Sequence, residues 1–334
     1  MDSITHIVLG AAVAETAVGK KIGNKALLIG AIAGNIPDFD SIFSLLFSPV
    51  DALFFHRGIS HSLFVLALLS PLIAFALSKI DMDSRLKYVD WIWLIGLPWL
   101  SHLIVDIFNT YGTGILEPFS SIRVSYDSMA IIDIFLLVYL IPAVSTIWFF
   151  NKKNPKRRII AWSSISFVAV YFSLSVVIKE NLESKVKQEL ADSKKEYVRL
   201  QTAPLPLSNL VWMIVVEDSN SFNVEQRNIL NTSKPVLRAN LAKNHQLLDS
   251  LSYYEISRIK NFTKGLYTVE KTDDGWFIYD LRFASLAPAY PDAYVFKFDI
   301  KKNNNVVLVK RTHPKRYLNT TNMELYLDRI LETL

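Results

Sequence analysis

At 334 residues, with 51% apolar side chains and a net charge of +5, the chain has room for two domains and more hydrocarbon than one soluble core requires. It contains no cysteine, which excludes disulfides and thiolate metal sites. Much of the positive charge sits in short loops between apolar runs, where it sets membrane topology, so no nucleic-acid partner is expected.

The long apolar runs fall almost entirely within residues 1–178. A first segment is expected over 3–18, with Ser3 as N-cap, His6 one turn in, and a small-residue stretch GAAVAETA suited to close helix packing. Glu15 interrupts it and no basic leader precedes it, so the reading is a retained segment and not a signal peptide. A second segment, 26–36, is interrupted at Pro37 and resumes over 41–50. Proline followed by Asp-Phe-Asp marks a broken helix whose freed backbone needs protein or water around it. Further segments follow at 60–79, 91–109, 130–150 and 159–178. The last has the length to cross a hydrocarbon layer of about 30 Å.

Residues 179–200 are charged and helix-forming and continue the sixth segment, ending at Pro204 and Pro206. Strand-like runs then begin at Asn209, Leu266, Trp276, Ala293 and Val306. Asp273-Asp274-Gly275 and Asn303-Asn304-Asn305 are placed as hairpin turns, and 223–246 and 321–334 read as helical. The prediction is an all-α polytopic membrane domain of about six helices over 1–178, a charged helical connector over 179–205, and a soluble α+β domain with a mainly antiparallel sheet over 206–334.

Basic residues on one set of loops are Lys20, Lys21, Lys25, Lys79, Arg85, Lys87, Lys152, Lys153, Lys156, Arg157 and Arg158. The opposite loops of the first 178 residues carry Arg57 and Arg123. The basic side is therefore expected in the cytoplasm, with both termini and the C-terminal domain outside a bacterial inner membrane. That topology brings His6, Asp38, Asp40, His56, His61, His102, Asp106 and Asp133 to one outer layer, although the charge count made no reference to them.

An ionisable residue beside hydrocarbon is costly and marks a functional site by default. Imidazole and carboxylate together suit zinc or a neighbouring divalent cation. His102 and Asp106, at i and i+4, share a helix face; alone, such a histidine is more often a packing residue, and the company at the same depth reverses that reading. Asp38 and Asp40 repel one another unless a cation neutralises them, against the plain alternative of a Pro-Asp turn. Around His56 and His61, Gly58 is expected to let the chain turn and Ser60 to cap the next helix. In the loop from Thr110 to Arg123, Arg123, like Arg57, suits capture of phosphate, or else anchors the interface. Asp133 is a ligand, an outer acceptor or a partner for Arg123. His245 and His313 read as isolated surface residues.

These motifs, T-H-x-x-x-G from Thr5, G-N-I-P-D-F-D from Gly34, H-R-G-I-S-H-S from His56 and S-H-L-I-V-D from Ser101, resemble the YdjM-type family of inner-membrane-associated, metal-dependent hydrolases. T-Y-G-T…P-F-S…R and I-I-D at Asp133 are similar to its YfhP-like branch. That family is held to be distantly similar to the zinc-dependent phospholipase C and P1 nuclease group, whose members also use a free amino end as a ligand. The resemblance implies zinc ligation by His6, Asp38, Asp40, His56, His61, His102 and Asp106, with Ser60, Thr110 and Asp133 in support. It covers the first half of the chain. The resulting expectation is a zinc-dependent phosphoesterase acting on a lipid or lipid-linked headgroup. Asp38, Asp40 or Asp106 would accept the proton, and Arg57 or Arg123 would hold the phosphate. The competing readings are an ion or proton pathway through the same His/Asp set, and a non-catalytic membrane anchor for the C-terminal domain. A protein partner for that domain is not legible.

Overall fold

The computed structural model describes residues 1–80, 83–230, 235, 237–251, 253–285, 287–288, 293–303, 306–312 and 324. The chain divides into two compact units. The first comprises 1–46, 55–126 and 131–174, and the second 47–54, 127–130 and 175–334.

In the first unit, α1 (Ser3–Ile22) and α2 (Asn24–Ala33) pack face to face on small residues. A Cβ at Gly30 would lie 2.2 Å from that of Ala14, and one at Gly10 would lie 2.5 Å from the carbonyl oxygen of Gly30, so only glycine permits this approach. The N-cap of α1 is Asp2, whose carboxylate accepts from the Thr5 N–H, and not Ser3. As Pro37 foretold, the second span is broken. Pro37–Phe39 forms a 3₁₀ turn that leads into the short α3 (Asp40–Ser44), bent by 50° from α2. After α4 (Pro49–Phe55) and a 3₁₀ turn at Ile59–His61 come α5 (Leu63–Lys79) and α6 (Tyr88–Asp106). A loop over 107–133 leads to α7 (Ile134–Ile147) and then α8 (Pro155–Asp192). Two of these helices, α6 and α8, are each long and apolar enough to cross a membrane, or up to four spans if each bent pair counts as one.

Glu15, which breaks the apolar pattern of α1, is buried against Arg157. Arg157 Nε donates to Oε1 at 2.8 Å and Nη2 to Oε2 at 2.6 Å, a two-pronged ion pair.

α8 carries on past the apolar run but ends at Asp192, short of the helical connector expected over 179–205, whose last residues form a strand instead, because Arg199–Pro204 pairs with the next strand. The second unit is built on two four-stranded antiparallel meanders. The first is β1 (Arg199–Pro204), β2 (Val211–Glu217), β3 (Ser221–Asn228) and β4 (Leu237–Ala242). The second is β5 (Tyr267–Lys271), β6 (Gly275–Asp280), β7 (Lys297–Asn303) and β8 (Val306–Thr312). Val211, Met213 and Val215 of β2 share a core with Leu266, Tyr279 and Leu281, while Trp212, Ile214 and Val216 on its other face meet Leu182 and Val186 of α8. Burial on both faces explains why β2 reads as an unbroken apolar run. α9 (Tyr254–Phe262) joins this unit with α4: Tyr254 donates to Asp51 at 3.0 Å, and the Arg258 guanidinium lies 3.6 Å over Phe54.

Two further expectations are corrected. Within 223–246 the described residues form no α-helix: 223–228 and 237–242 are strands, and only the 3₁₀ turn His245–Leu248 touches the end of the range. Phe222, Val224 and Gln226 alternate inward along β3, and pairing to β2 and β4 overrides the helix preference of the Glu, Gln and Arg between them. His245 is not an isolated surface residue: it is half-buried, stacked on Tyr267 at 3.9 Å, and its Nε2 donates to the Tyr267 carbonyl at 2.7 Å. The Asp273-Asp274-Gly275 hairpin is present, Thr272 N–H donating to Gly275 O at 2.9 Å. The 304–305 turn, the 321–334 helix apart from residue 324, and His313 lie outside the described residues.

Candidate metal centre

Three stretches of the first unit deliver Asp38, His61 and the α6 pair His102 and Asp106 to one buried point, each residue offering a ligand atom within 4.8 Å of the others. Nε2 of His61 lies 3.4 Å from Asp38 Oδ1, 3.5 Å from Asp106 Oδ2 and 3.1 Å from His102 Nε2. Nε2 of His102 lies 3.6 Å from Asp38 Oδ1 and 3.5 Å from Asp106 Oδ2. Ligands about 2.0–2.2 Å from a tetrahedral zinc sit roughly 3.3–3.6 Å from one another; the four His–Asp distances fall in that range, and the two Nε2 atoms stand slightly closer. Asp38 Oδ1 is buried with no hydrogen bond among the described residues, and Asp106 Oδ2 makes none either although the Arg57 Nε lies 3.2 Å away; a bound cation would satisfy the Asp38 oxygen. The donor set therefore fits a metal ion.

The supporting contacts orient the imidazoles. His102 Nδ1 is 2.7 Å from the Gly34 carbonyl, so it carries the proton and leaves Nε2 free toward the cluster. His61 Nδ1 faces Ser60 Oγ at 2.9 Å and Asp40 Oδ2 at 3.3 Å, which turns its Nε2 inward in the same way. Asp40 also accepts from Ser60 Oγ, from the Arg57 backbone N–H at 3.0 Å and, through Oδ1, faces His56 Nδ1 at 2.7 Å. Asp40, His56 and Ser60 thus form a layer beside the four donors.

His6 stacks on His102 with ring centroids 3.6 Å apart, and its Nε2 lies 3.2 Å from Asp106 Oδ1. The Met1 amino group donates to the same Asp106 oxygen, which places the chain's amino group within the cluster. Arg57 is buried and locked: Nε is 3.2 Å from Asp106 Oδ2, Nη1 donates to Asn109 Oδ1 at 2.6 Å and Nη2 to the Met1 carbonyl at 3.1 Å. It, and not Gly58, takes the left-handed backbone conformation (φ 59°) that turns the chain. Nothing in the residue types signals this.

The loop over 110–126 closes beside the His56–His61 segment. Gly114 N–H donates to Arg57 O at 2.8 Å, Leu63 N–H to Ile115 O at 3.1 Å, and Thr113 bridges to Val124. Arg123 Nη2 donates to the His56 carbonyl at 2.7 Å from a half-buried position, and Thr110 is buried. Glu117, which belongs to none of the sequence motifs, sits in this loop with its carboxyl pushed up by burial against the opposing pull of Arg123 and His61. Asp133 stands apart from the four donors in its bonding: it caps α7 by accepting from Leu136 N–H at 3.1 Å, and accepts from the Tyr171 hydroxyl at 2.9 Å. An aspartate directly before an apolar helix is an N-cap signal that could have been read. After Asp40 the chain exposes Ile42, Phe43, Leu45 and Leu46, the last two more than four-fifths exposed, an apolar run no soluble surface would carry.

The sequence profile described as YdjM inner membrane protein matches residues 1–182, the part of the chain that holds every one of these side chains. The chain belongs to the YdjM family. Within the curated proteins, the uncharacterized protein YfhP of Bacillus subtilis (strain 168) is 25% identical over 232 residues, covering 67% of each chain. No solved structure matches. Family membership and the apolar helices together make this YdjM protein a membrane protein with a buried His/Asp cluster that could hold a metal ion.

Proposed function

We propose that the first unit is a metal-dependent hydrolase that uses zinc to cleave a phosphoester on a lipid or lipid-linked headgroup. The observation that carries this reading is the spacing of the four buried donors. Two imidazoles in the set favour zinc over calcium or magnesium, which take oxygen. When bound, such an ion lowers the pKa of a coordinated water and polarises a phosphoryl oxygen, and zinc accepts the fifth ligand this requires.

The chain's own residues hold and orient. Asp38, His61, His102 and Asp106 bind the ion; Asp40 and the Gly34 carbonyl fix the imidazoles; a carboxylate of the set takes the proton from the attacking water. Arg123, half-buried over the His56 carbonyl, is better placed to meet an incoming phosphate than Arg57, whose guanidinium is fully engaged. The apolar run at Ile42–Leu46, immediately after Asp40, suits a substrate with a hydrocarbon tail. The distribution of Lys and Arg supports a multi-pass protein of the inner membrane with the site and the C-terminal domain on the outer side.

The test is metal content of the detergent-purified protein and of His61→Ala, paired with hydrolysis of a generic phosphodiester. Stoichiometric zinc and turnover in the wild type, both lost in His61→Ala, are expected. Wild-type protein free of zinc after purification in its presence overturns the reading.

A further inference from the structure

Well away from the metal cluster, the first unit has a second feature with chemistry of its own. Where the α1–α2 turn meets the α7–α8 connection lies an open pocket of about 400 Å³, walled by Gly23, Asn24, Lys25, Phe150, Lys152 and Arg157. Ile22 on this wall is sixteen residues along α1 from His6, roughly 24 Å at the helical rise.

Its cations are not equivalent. Arg157 is spent on Glu15, and its Nη1 donates to Asn24 Oδ1 at 2.7 Å and to the carbonyls of Ile147 and Phe150. Lys25 is 3.1 Å from Asp83. Lys152 is half-buried, with no carboxylate partner among the described residues. Its stem runs past the bare Cα of Gly23, where a Cβ would come within 3.2 Å of its own. Asp83 is shared between Lys25 and Arg85, and Lys152 is the pocket cation with no carboxylate of its own, the complement of a phosphodiester. The exposed Lys153, Lys156 and Arg158 close by would repel a headgroup that carries its own ammonium. Exposed apolar side chains flank its residues in the chain: Trp148, Phe149 and Ile159, with Phe149 84% exposed. A polar cationic recess at the border of an apolar belt is the arrangement by which helical membrane proteins hold anionic headgroups.

We propose that this pocket binds the phosphate of an anionic phospholipid, with Lys152 against the phosphate and the acyl chains lying along Trp148, Phe149 and Ile159. The site is independent of the hydrolase reading and needs no metal.

The experiment follows thermal unfolding of the full chain in detergent during titration with phosphatidylglycerol, phosphatidylcholine or inorganic phosphate. Wild type is compared with Lys152→Glu, Lys152→Ala and Lys153→Glu; the last makes the same charge change on an exposed side chain outside the pocket. Phosphatidylglycerol is expected to stabilise wild type and Lys153→Glu alike, with apparent affinity roughly tenfold weaker in Lys152→Glu and reduced in Lys152→Ala. Phosphatidylcholine should do little. Equal losses in Lys152→Glu and Lys153→Glu would mean diffuse attraction and overturn the site. Stabilisation by inorganic phosphate matching that by the lipid would overturn the lipid as its occupant. Lipid-free unfolding midpoints of the Lys152 variants equal to that of wild type show that the first unit is folded.

Discussion

Asp40 Oδ2 lies 3.3 Å from His61 Nδ1, on the opposite side of the ring from the nitrogen that faces Asp38 and Asp106. A carboxylate behind a ligating imidazole fixes its tautomer and strengthens it as a donor. Asp40→Asn should therefore weaken zinc affinity by about 10–100-fold and leave the stoichiometry intact. His61→Ala should abolish tight binding altogether. Competition against a chelator of known affinity separates the two outcomes.

The helix pair that carries His6 and Gly34 tolerates no side chain at its crossing. Gly30→Ala gains up to about 1 kcal/mol of helix propensity, but the new methyl would sit 2.2 Å from the Ala14 Cβ. Overpacking of this kind costs about 1–3 kcal/mol. The variant should melt below wild type and bind less metal, since α2 leads into the Gly34 carbonyl that holds His102.

Arg157→Met should destabilise the first unit by about 3–5 kcal/mol, because it strands the Glu15 carboxylate in an apolar surround. Adding Glu15→Leu should restore most of the loss. Unfolding midpoints of the single and double variants in one detergent measure this; a double variant no better than Arg157→Met would refute the assignment.

Acid should weaken the second unit through Glu217. Burial pushes its carboxyl up, but hydrogen bonds from Lys243 (2.8 Å) and Arg199 (2.7 Å) outweigh that and hold it below the usual glutamate range. A pKa depressed in the folded state contributes stability above the unfolded value, about 4.3, and loses it as pH falls through the folded one. Glu217→Gln should cost about 1 kcal/mol at pH 7, allowing for the partly exposed Arg199, and the gap to wild type should close as the pH is lowered below 4. Unfolding curves across that range give the answer.

Much of the candidate metal centre was legible in the sequence because its residues are chemically out of place. Carboxylates and imidazoles among apolar runs announce themselves, and Pro37 announces the break that presents Asp38. Their division of labour was not legible. Whether Asp40 ligates or supports His61 depends on angstroms that spacing along the chain does not encode. Arg57 gave no sign that it would adopt a left-handed turn and bind Asp106. In the second unit, β2 was evident from its apolar run, whereas β3 and β4 carry helix-favouring residues whose conformation is set by neighbouring strands. The pairing of Glu15 with Arg157 links positions 142 apart in sequence, which no local pattern reveals.

The sandwiching of β2 between α8 and the second sheet has a further outcome for how the C-terminal half finds its register. In a strand with one wet side, a one-residue slip merely exposes grease; here both destinations are oily, so polarity alone offers no penalty. What discriminates is shape. The indole of Trp212, wholly enclosed beside Leu182 and Val186, would be driven into room sized for Val211 or Met213. Trp212 thus serves as the index pin of the sheet, and exchanging it for a smaller aliphatic residue would be expected to blur alignment as well as reduce stability.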